Sequence, residues 1–292
     1  MVRIYGVVVT YKPDTETLEK LIQSIYSQLS KLIIVDNTPD GSKNLEKFST
    51  LPNIEIVYLR NNYGIAYAQN IGIKKSLEEK ANYILLSDQD TIYPVDYVKS
   101  MIDCFRYEKV AAAGPVYINT VTGELSPIIK NYFKKEYVTS GKHEVFQMIA
   151  SGMIINSLYI KDIGFMREDL FIDWVDLEWC WRARKKGYKL IVNADVKIEH
   201  NLGYKSRTIL GKKIALRNHI RHYYMVRNGF YLSLYSHDLD IIHKLILFIK
   251  SVIYLIAFPI LAKPHLKNLR CTLKGFFDGI TGKLGQLNEK CH

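Results

Sequence analysis

Tyr83-Ile84-Leu85-Leu86-Ser87-Asp88-Gln89-Asp90 runs from an apolar stretch straight into two carboxylates one residue apart. A short apolar run without polar alternation suits a strand buried on both faces, which is the habit of parallel sheets. The same design recurs upstream. Strands are expected at Ile4–Val9, Lys31–Val35 and Ile54–Leu59, each leaving through polar residues: Thr10-Tyr11, Asp36-Asn37 and Asn61-Asn62. Helical spacing fills the gaps over Thr15–Leu29 and Ile65–Ser76, with a short helix over Gly41–Phe48. This β-α-β-α rhythm predicts an α/β fold built on a mostly parallel sheet with flanking helices. Ligands of such sheets bind beyond the carboxyl ends of the strands, so the polar exits should converge on one crevice.

Outward from there the pattern loosens. Pro94 precedes a helix expected over Asp96–Tyr107 and a strand over Ala111–Tyr117. Residues 118–147 read as an excursion of hairpin and loop before a strand over Ala150–Asn156. A helix over Phe171–Lys186 stops at Gly187, with cationic side chains in its last turn where the dipole favours them. Two short strands, Leu190–Val192 and Val196–Glu199, lead to His200. The opening residues lack the small-residue cleavage site of a signal peptide and read as the first strand.

Length and composition bound the answer. A chain of 292 residues with 48% hydrophobic and 24% charged residues is globular, large enough for one α/β domain and an appendage. The four cysteines form no C-x-x-C pair, which argues against a zinc site or disulfide framework and for a reducing, cytoplasmic setting. Of the net charge of +11, residues 201–292 carry all of it, with 15 Lys+Arg against four Asp+Glu; the first 200 residues hold 25 of each.

Three constellations can carry chemistry. Asp88 and Asp90 could address a ribose hydroxyl and a divalent cation on a diphosphate, although D-x-D by itself is a common loop pattern. The segment Phe171-Ile172-Asp173-Trp174-Val175-Asp176-Leu177-Glu178-Trp179 opens a helix with three acids and two tryptophans. Capping by Asp173 and dipole compensation account for one or two of the acids, and the tryptophans suit a sugar face or a core position equally. The third is His200, at a strand end.

In this order the three resemble family 2 glycosyltransferases, which have the GT-A fold, and within them the bacterial rhamnosyltransferase group. The resemblance covers roughly residues 3–230 and adds Val8-Val9-Thr10-Tyr11, Val35-Asp36-Asn37 and the Asn62–Gly72 segment. It implies an inverting, metal-dependent transferase using a nucleotide sugar, with dTDP-L-rhamnose preferred over UDP-hexose or UDP-galactofuranose. Thr10, Tyr11 and Asp36 would hold the nucleobase, Asp36 accepting from the ring imide N–H. Asn62, Asn70, Asp88 and Gln89 would lie near the rest of the nucleotide. Asp90 and His200 would coordinate Mn²⁺ or Mg²⁺. Asp176 would be the general base, with Glu178 and Trp179 lining the acceptor side. The similar galactofuranosyltransferases carry two adjacent aspartates where this chain has Val175-Asp176, so only Asp176 can be matched.

The tail points to an anionic partner. Its apolar run Leu245–Leu261 is broken by Lys250 and reaches Pro259 near its end, so the unbroken part falls short of the ~20 residues of a spanning helix. The expectation is a GT-A domain over 1–230 and a basic amphipathic helical extension over 231–292 that lies on an anionic membrane surface, at the inner face of the plasma membrane. The competing reading is a buried C-terminal helix. The acceptor would be lipid-linked or a polysaccharide; no nucleic acid is expected, and the sequence leaves the oligomeric state open. The stretch Arg217–Asn228 reads either as a phosphate contact or as a solvated helix face over a Tyr/Met core. A dinucleotide-dependent oxidoreductase is excluded because Val9-Thr10-Tyr11-Lys12-Pro13 stands where a G-x-G-x-x-G turn is needed. An inactive nucleotide-sugar-binding scaffold is disfavoured by the presence of Asp90, Asp176 and His200.

Overall fold

A computed structural model describes residues 2–119, 123–200, 205–209 and 212–287, with 200, 205–209 and 212–213 described by backbone alone. The chain divides into two compact units, residues 1–166 with 176–201, and residues 167–175 with 202–292. The boundary expected at residue 230 falls instead inside a continuous helix.

The first unit is built on an eight-stranded sheet. Its strands are β1 (Ile4–Thr10), β2 (Lys31–Asp36), β3 (Ile54–Tyr58), β4 (Tyr83–Ser87), β5 (Val110–Asn119), β8 (Lys142–Glu144), β9 (Met153–Asn156) and β10 (Lys189–His200). The order is β3-β2-β1-β4-β9-β5-β10-β8. β3, β2, β1 and β4 run parallel, as do β5 and β10, while β9 is antiparallel to both its neighbours and β8 to β10. The excursion contains β6 (Ile128–Ile129) and β7 (Lys135–Glu136), paired with each other. The two strands expected before His200 are one, carried across a register shift between Asn193 and Lys197.

Helices α1 (Thr15–Ile25), α2 (Ile65–Glu78), α3 (Tyr97–Ile102), α4 (Ile160–Ile163) and α5 (Val175–Lys185) belong to this unit except at the first residue of α5. Asp14 caps α1 by accepting from the Thr17 N–H at 2.9 Å, and Leu18, Leu21, Ile22 and Ile25 bury the expected face. On α2, Gly72 is required by close approach: a Cβ there would sit 2.3 Å from Val7 Cγ1. One core cluster packs α1 against a face of the sheet, from Val8 and Ile34 to Ile154 and Ile198.

The second unit contains a hairpin of β11 (Lys205–Ile209) and β12 (Lys212–Leu216), and helices α6 (His219–Tyr235), α7 (Ile241–Leu261) and α8 (His265–Ile280). α6 packs on α7 and α8 through Val226, Phe230, Ala257 and Phe258. α7 runs unbroken through Lys250, whose ammonium lies 4.7 Å from the Trp174 ring and 5.6 Å from the Tyr254 ring. Lys250 thus interrupts the apolar run of the sequence without interrupting the helix, its cation resting on aromatic faces.

Candidate active site

The exits of β1, β2, β3 and β4 are stitched together. Gln89 accepts from the Tyr11 N–H at 2.8 Å, joining the loop after β4 to that after β1. Asn37 donates to Asn62 Oδ1 at 3.0 Å and accepts from the Tyr63 N–H at 2.8 Å, and Asn62 also accepts from the Gly64 N–H. The polar exits therefore converge on one rim, as the alternation of strand and helix implies.

Asp36 sits beneath that rim, fully buried. Its Oδ1 accepts from Thr10 Oγ1 at 3.0 Å, Thr38 Oγ1 at 2.7 Å and Ser42 Oγ at 3.1 Å, and its Oδ2 from the Ser42 N–H at 2.6 Å. Both carboxylate oxygens are thus engaged by donors of its own chain, three hydroxyls on Oδ1 and the Ser42 N–H on Oδ2. It holds the loop, and buried Thr10 serves it. The Tyr11 ring, on the loop after β1, is 44% exposed. Asn70 is likewise engaged by its own chain: its amide donates to Met166 O and accepts from Met166 N–H, both at 2.9 Å, which pins a distant loop.

Asp90 is exposed on the loop after β4, and Asp88 is half-buried. Ile92 bridges in antiparallel fashion to Glu199, which brings the end of β10 alongside this loop. The backbone thus sets His200 near Asp90, while the His200 side chain lies outside the described residues. Thr91 and Ser151 share a buried hydroxyl hydrogen bond of 2.6 Å, and Gly152 N–H donates to Leu86 O at 2.8 Å, so residues 150–152 lie against the end of β4.

Those residues also hold Asp176. The Ala150 N–H donates to Asp176 Oδ2 at 3.1 Å, and the Leu177 N–H to Oδ1 at 2.9 Å. Burial pushes the Asp176 carboxyl up to about 6; the two N–H donors oppose that and the Asp88 charge reinforces it. The pathway Asp90-Thr91···Ser151-Ala150···Asp176 links the D-x-D loop to a carboxylate poised to accept a proton near neutral pH. The sequence reading missed Thr91 and the Ala150-Ser151-Gly152 turn; the available signal was a run of small residues ahead of an apolar strand.

Glu178 and Trp179, expected on the acceptor side, are buried and partnered. Glu178 takes a bidentate contact from Arg182, at 3.1 and 2.9 Å, and Trp179 Nε1 donates to Gly164 O at 2.9 Å. Both side chains therefore point into the body of the unit.

Asp173 is no helix cap. It belongs to the second unit and binds Arg221 in a fork, Nε to Oδ2 at 2.7 Å and Nη2 to Oδ1 at 2.5 Å. Its neighbours are held as firmly: Asn228 donates to the carbonyls of Leu170, Ile172 and Asp173, and Trp174 Nε1 to Met225 O. Buried Arg227 donates to the carbonyls of Gly285, Asp169 and Leu170. Arg221 and Arg227 of the basic–aromatic stretch are thus both engaged internally, Arg227 fully buried and Arg221 partly so. Phe171, Asp173 and Trp174 take left-handed backbone, with φ of 64, 65 and 69°. Three such non-glycine residues in four are costly, and the carbonyl clamp holds them there.

A mostly parallel sheet flanked by helices, with acids gathered at its strand exits, is the GT-A architecture of nucleotide-sugar transferases. Residues 7–164 match the model of the glycosyl transferase family 2, and the chain belongs to that family. It is 32% identical over 292 residues, 97% of each chain, to the dTDP-rhamnosyl transferase RfbF of Shigella flexneri. It is 21% identical to the low-salt glycan biosynthesis hexosyltransferase Agl10 of Haloferax volcanii, over 63% of this chain and 62% of that one. Among solved structures, S. aureus TarS 1–349 in complex with UDP-GlcNAc superposes with a TM-score of 0.58 at 16% identity, covering 96% of this chain and 82% of that one. GalNAc-T7 with UDP, GalNAc and Mn²⁺ gives 0.59 at 13% identity, covering 89% of this chain and 57% of that one.

Proposed function

We propose that this glycosyltransferase moves L-rhamnose from dTDP-L-rhamnose, with inversion, to a lipid-linked or polysaccharide acceptor at the cytoplasmic face of the plasma membrane. The observation that carries the chemistry is Asp176, its carboxyl raised to about 6 and held by two backbone N–H groups beside the D-x-D loop. In the reaction the acceptor hydroxyl gives its proton to an Asp176 oxygen as the hydroxyl oxygen bonds to the anomeric carbon. The bond from that carbon to the diphosphate oxygen breaks, and the electron pair leaves with the nucleoside diphosphate. One displacement inverts the anomeric centre. The likeness over 97% of both chains to a dTDP-rhamnosyl transferase supports the donor.

Tyr11, ordered through Gln89, would stack on the base, with Asp36 and Thr10 fixing its loop; Asn62 and Asp88 would face the ribose and diphosphate. Asp90 and His200 would hold Mn²⁺ or Mg²⁺. The donor set fits: an exposed carboxylate next to the strand end that carries an imidazole suits either ion. Such an ion offsets the charge that builds on the departing diphosphate. Mn²⁺ in the GalNAc-T7 structure supports this reading.

The test is donor turnover by the full chain with dTDP-L-rhamnose, with and without chelator, beside a panel of UDP-sugars. Metal-dependent turnover selective for dTDP-L-rhamnose is expected. Full turnover in excess chelator would sink the metal assignment, and preference for a UDP-sugar the donor.

A further inference from the structure

Two helices of the second unit carry apolar stripes on the faces they turn to solvent. On α7, Ile242, Leu245, Ile249, Ile253, Ile256 and Ile260 are all exposed, at spacings of three and four that keep them on one side. On α8, Leu266, Leu269, Leu273 and Phe277 do the same, and Phe277 is 58% exposed. The opposite faces are committed to the unit: His243, Leu247, Ser251 and Phe258 on α7, Asn268, Cys271 and Gly275 on α8. Apolar stripes this long on outward faces mark a docking surface.

Charge selects the occupant. Residues 241–280 hold six lysines and arginines against the single acid Asp278, and Asp278 is buried, accepting from Tyr223 Oη at 2.8 Å. Lys263 and Lys267 are exposed beside the α8 stripe, as is Arg270. A second copy of the chain would bring this cationic surface against its own like, which is unfavourable. An anionic bilayer offers both halves of the match, hydrocarbon for the stripe and headgroups for the lysines.

α7 has the length and composition to cross a membrane, 21 residues of mean hydropathy 2.1. Its position in the bundle opposes that. Its inner face packs on α6, which carries buried Arg227, Asn228 and His222, and Lys250 is held on Trp174. A crossing α7 would have to drag these groups into hydrocarbon or leave them.

We infer that α7 and α8 form one peripheral docking face for an anionic lipid surface, their stripes sinking to the headgroup–acyl boundary with Lys263 and Lys267 on the headgroups. This deepens the reading of a membrane-side acceptor, on which it rests for its purpose but not for its test.

The experiment is co-sedimentation of the full chain with phosphatidylcholine vesicles, with and without phosphatidylglycerol. Binding is expected only with phosphatidylglycerol and should weaken as salt rises. Lys263→Gln/Lys267→Gln should weaken it about thirtyfold, two headgroup contacts' worth. Leu269→Gln/Leu273→Gln should weaken it on the order of a hundredfold. Both variants alter exposed positions and should unfold at the temperature of the parent. Equal binding to both vesicle types, indifference to both variants, or retention after alkaline carbonate washing overturns the inference, the last in favour of a spanning α7. A lipid-free dimer that Leu269→Gln/Leu273→Gln dissociates overturns it in favour of self-association. Turnover on a soluble acceptor is followed in parallel: if it is absent while vesicle binding persists, the transferase reading falls and the docking face stands.

Discussion

Asp176 is the residue on which chemistry and folding pull in opposite directions. Its carboxyl is raised to about 6 because burial disfavours the charged form, so ionisation at neutral pH costs the folded state stability that the protonated form would keep. As the proposed general base Asp176 acts only when ionised, so turnover should rise with pH through about 6 and level off above it. Asp176→Asn keeps the shape and cannot take a proton. Transfer should fall by roughly 10²–10⁴-fold with donor affinity little changed. The same variant should melt no lower than the parent at neutral pH, since it removes a charge that burial penalises. Asp173→Asn supplies the contrast. It dissolves the fork with Arg221 and should cost about 1–3 kcal/mol of stability, read as a lower melting temperature. If Asp173→Asn instead kills turnover at unchanged melting temperature and Asp176→Asn stays active, the base has been misplaced. At this scale residue types were legible and orientations were not. Asp36, Asn70, Glu178 and Trp179 each spend polar atoms on their own body. Motif spacing records which residues stand at a site and says nothing of whether a neighbouring loop has already claimed their hydrogen bonds.

Among the elements, the turn ahead of β9 does the most to assemble the site, and Gly152 makes that turn possible. Its φ is +82°, and a Cβ there would lie 2.9 Å from Tyr97 Oη, which itself hydrogen-bonds the Gly152 carbonyl. Gly187, after α5, has a similar φ of +83° with nothing within 4 Å of its Cβ position. Gly187→Ala should cost about 1 kcal/mol from backbone strain alone. Gly152→Ala meets the clash as well and should cost more, roughly 2–3 kcal/mol, and also slow turnover by shifting the Ala150 N–H away from Asp176. Equal melting temperatures for the two variants would show that the clash is relieved cheaply. The parallel strands were readable because an unbroken apolar run with a polar exit has few other uses. The antiparallel β9 was expected as a strand, but its direction follows from long-range pairing that no local pattern encodes. The start of α5 was misread for a related reason. Left-handed backbone at Phe171, Asp173 and Trp174 is imposed by distant carbonyl contacts with Asn228 and Arg227, against the residues' own preference.

For the molecule as a whole, the sequence shows a neutral body and a cationic tail, and the structure moves the division between them. The tail was expected to begin as an extension after residue 230, yet α6 runs through that point and is the inner helix of its unit. Phe230 stacks edge-on against Phe248 of α7 and Phe276 of α8, and Gly279 approaches Arg227 so closely that a Cβ would lie 2.6 Å from its carbonyl oxygen. Cutting the chain after Tyr235 would therefore not peel away an appendage. It would strip both covering helices from α6 and expose Tyr223, Val226, Phe230 and Leu232, which are all buried in the full chain. Each large side chain left bare forfeits about 1.5–3 kcal/mol of burial, and several together exceed what a marginally stable unit holds in reserve. The buried guanidinium of Arg227 would also lose the Gly285 carbonyl. The truncated chain should accumulate as aggregate, or as a soluble form lacking the cooperative melting transition of the second unit, even in the absence of lipid. Thermal unfolding and sedimentation of chain 1–235 against the full chain decide it. A soluble monomer melting as the parent does would mean that α7 and α8 are dispensable to the fold.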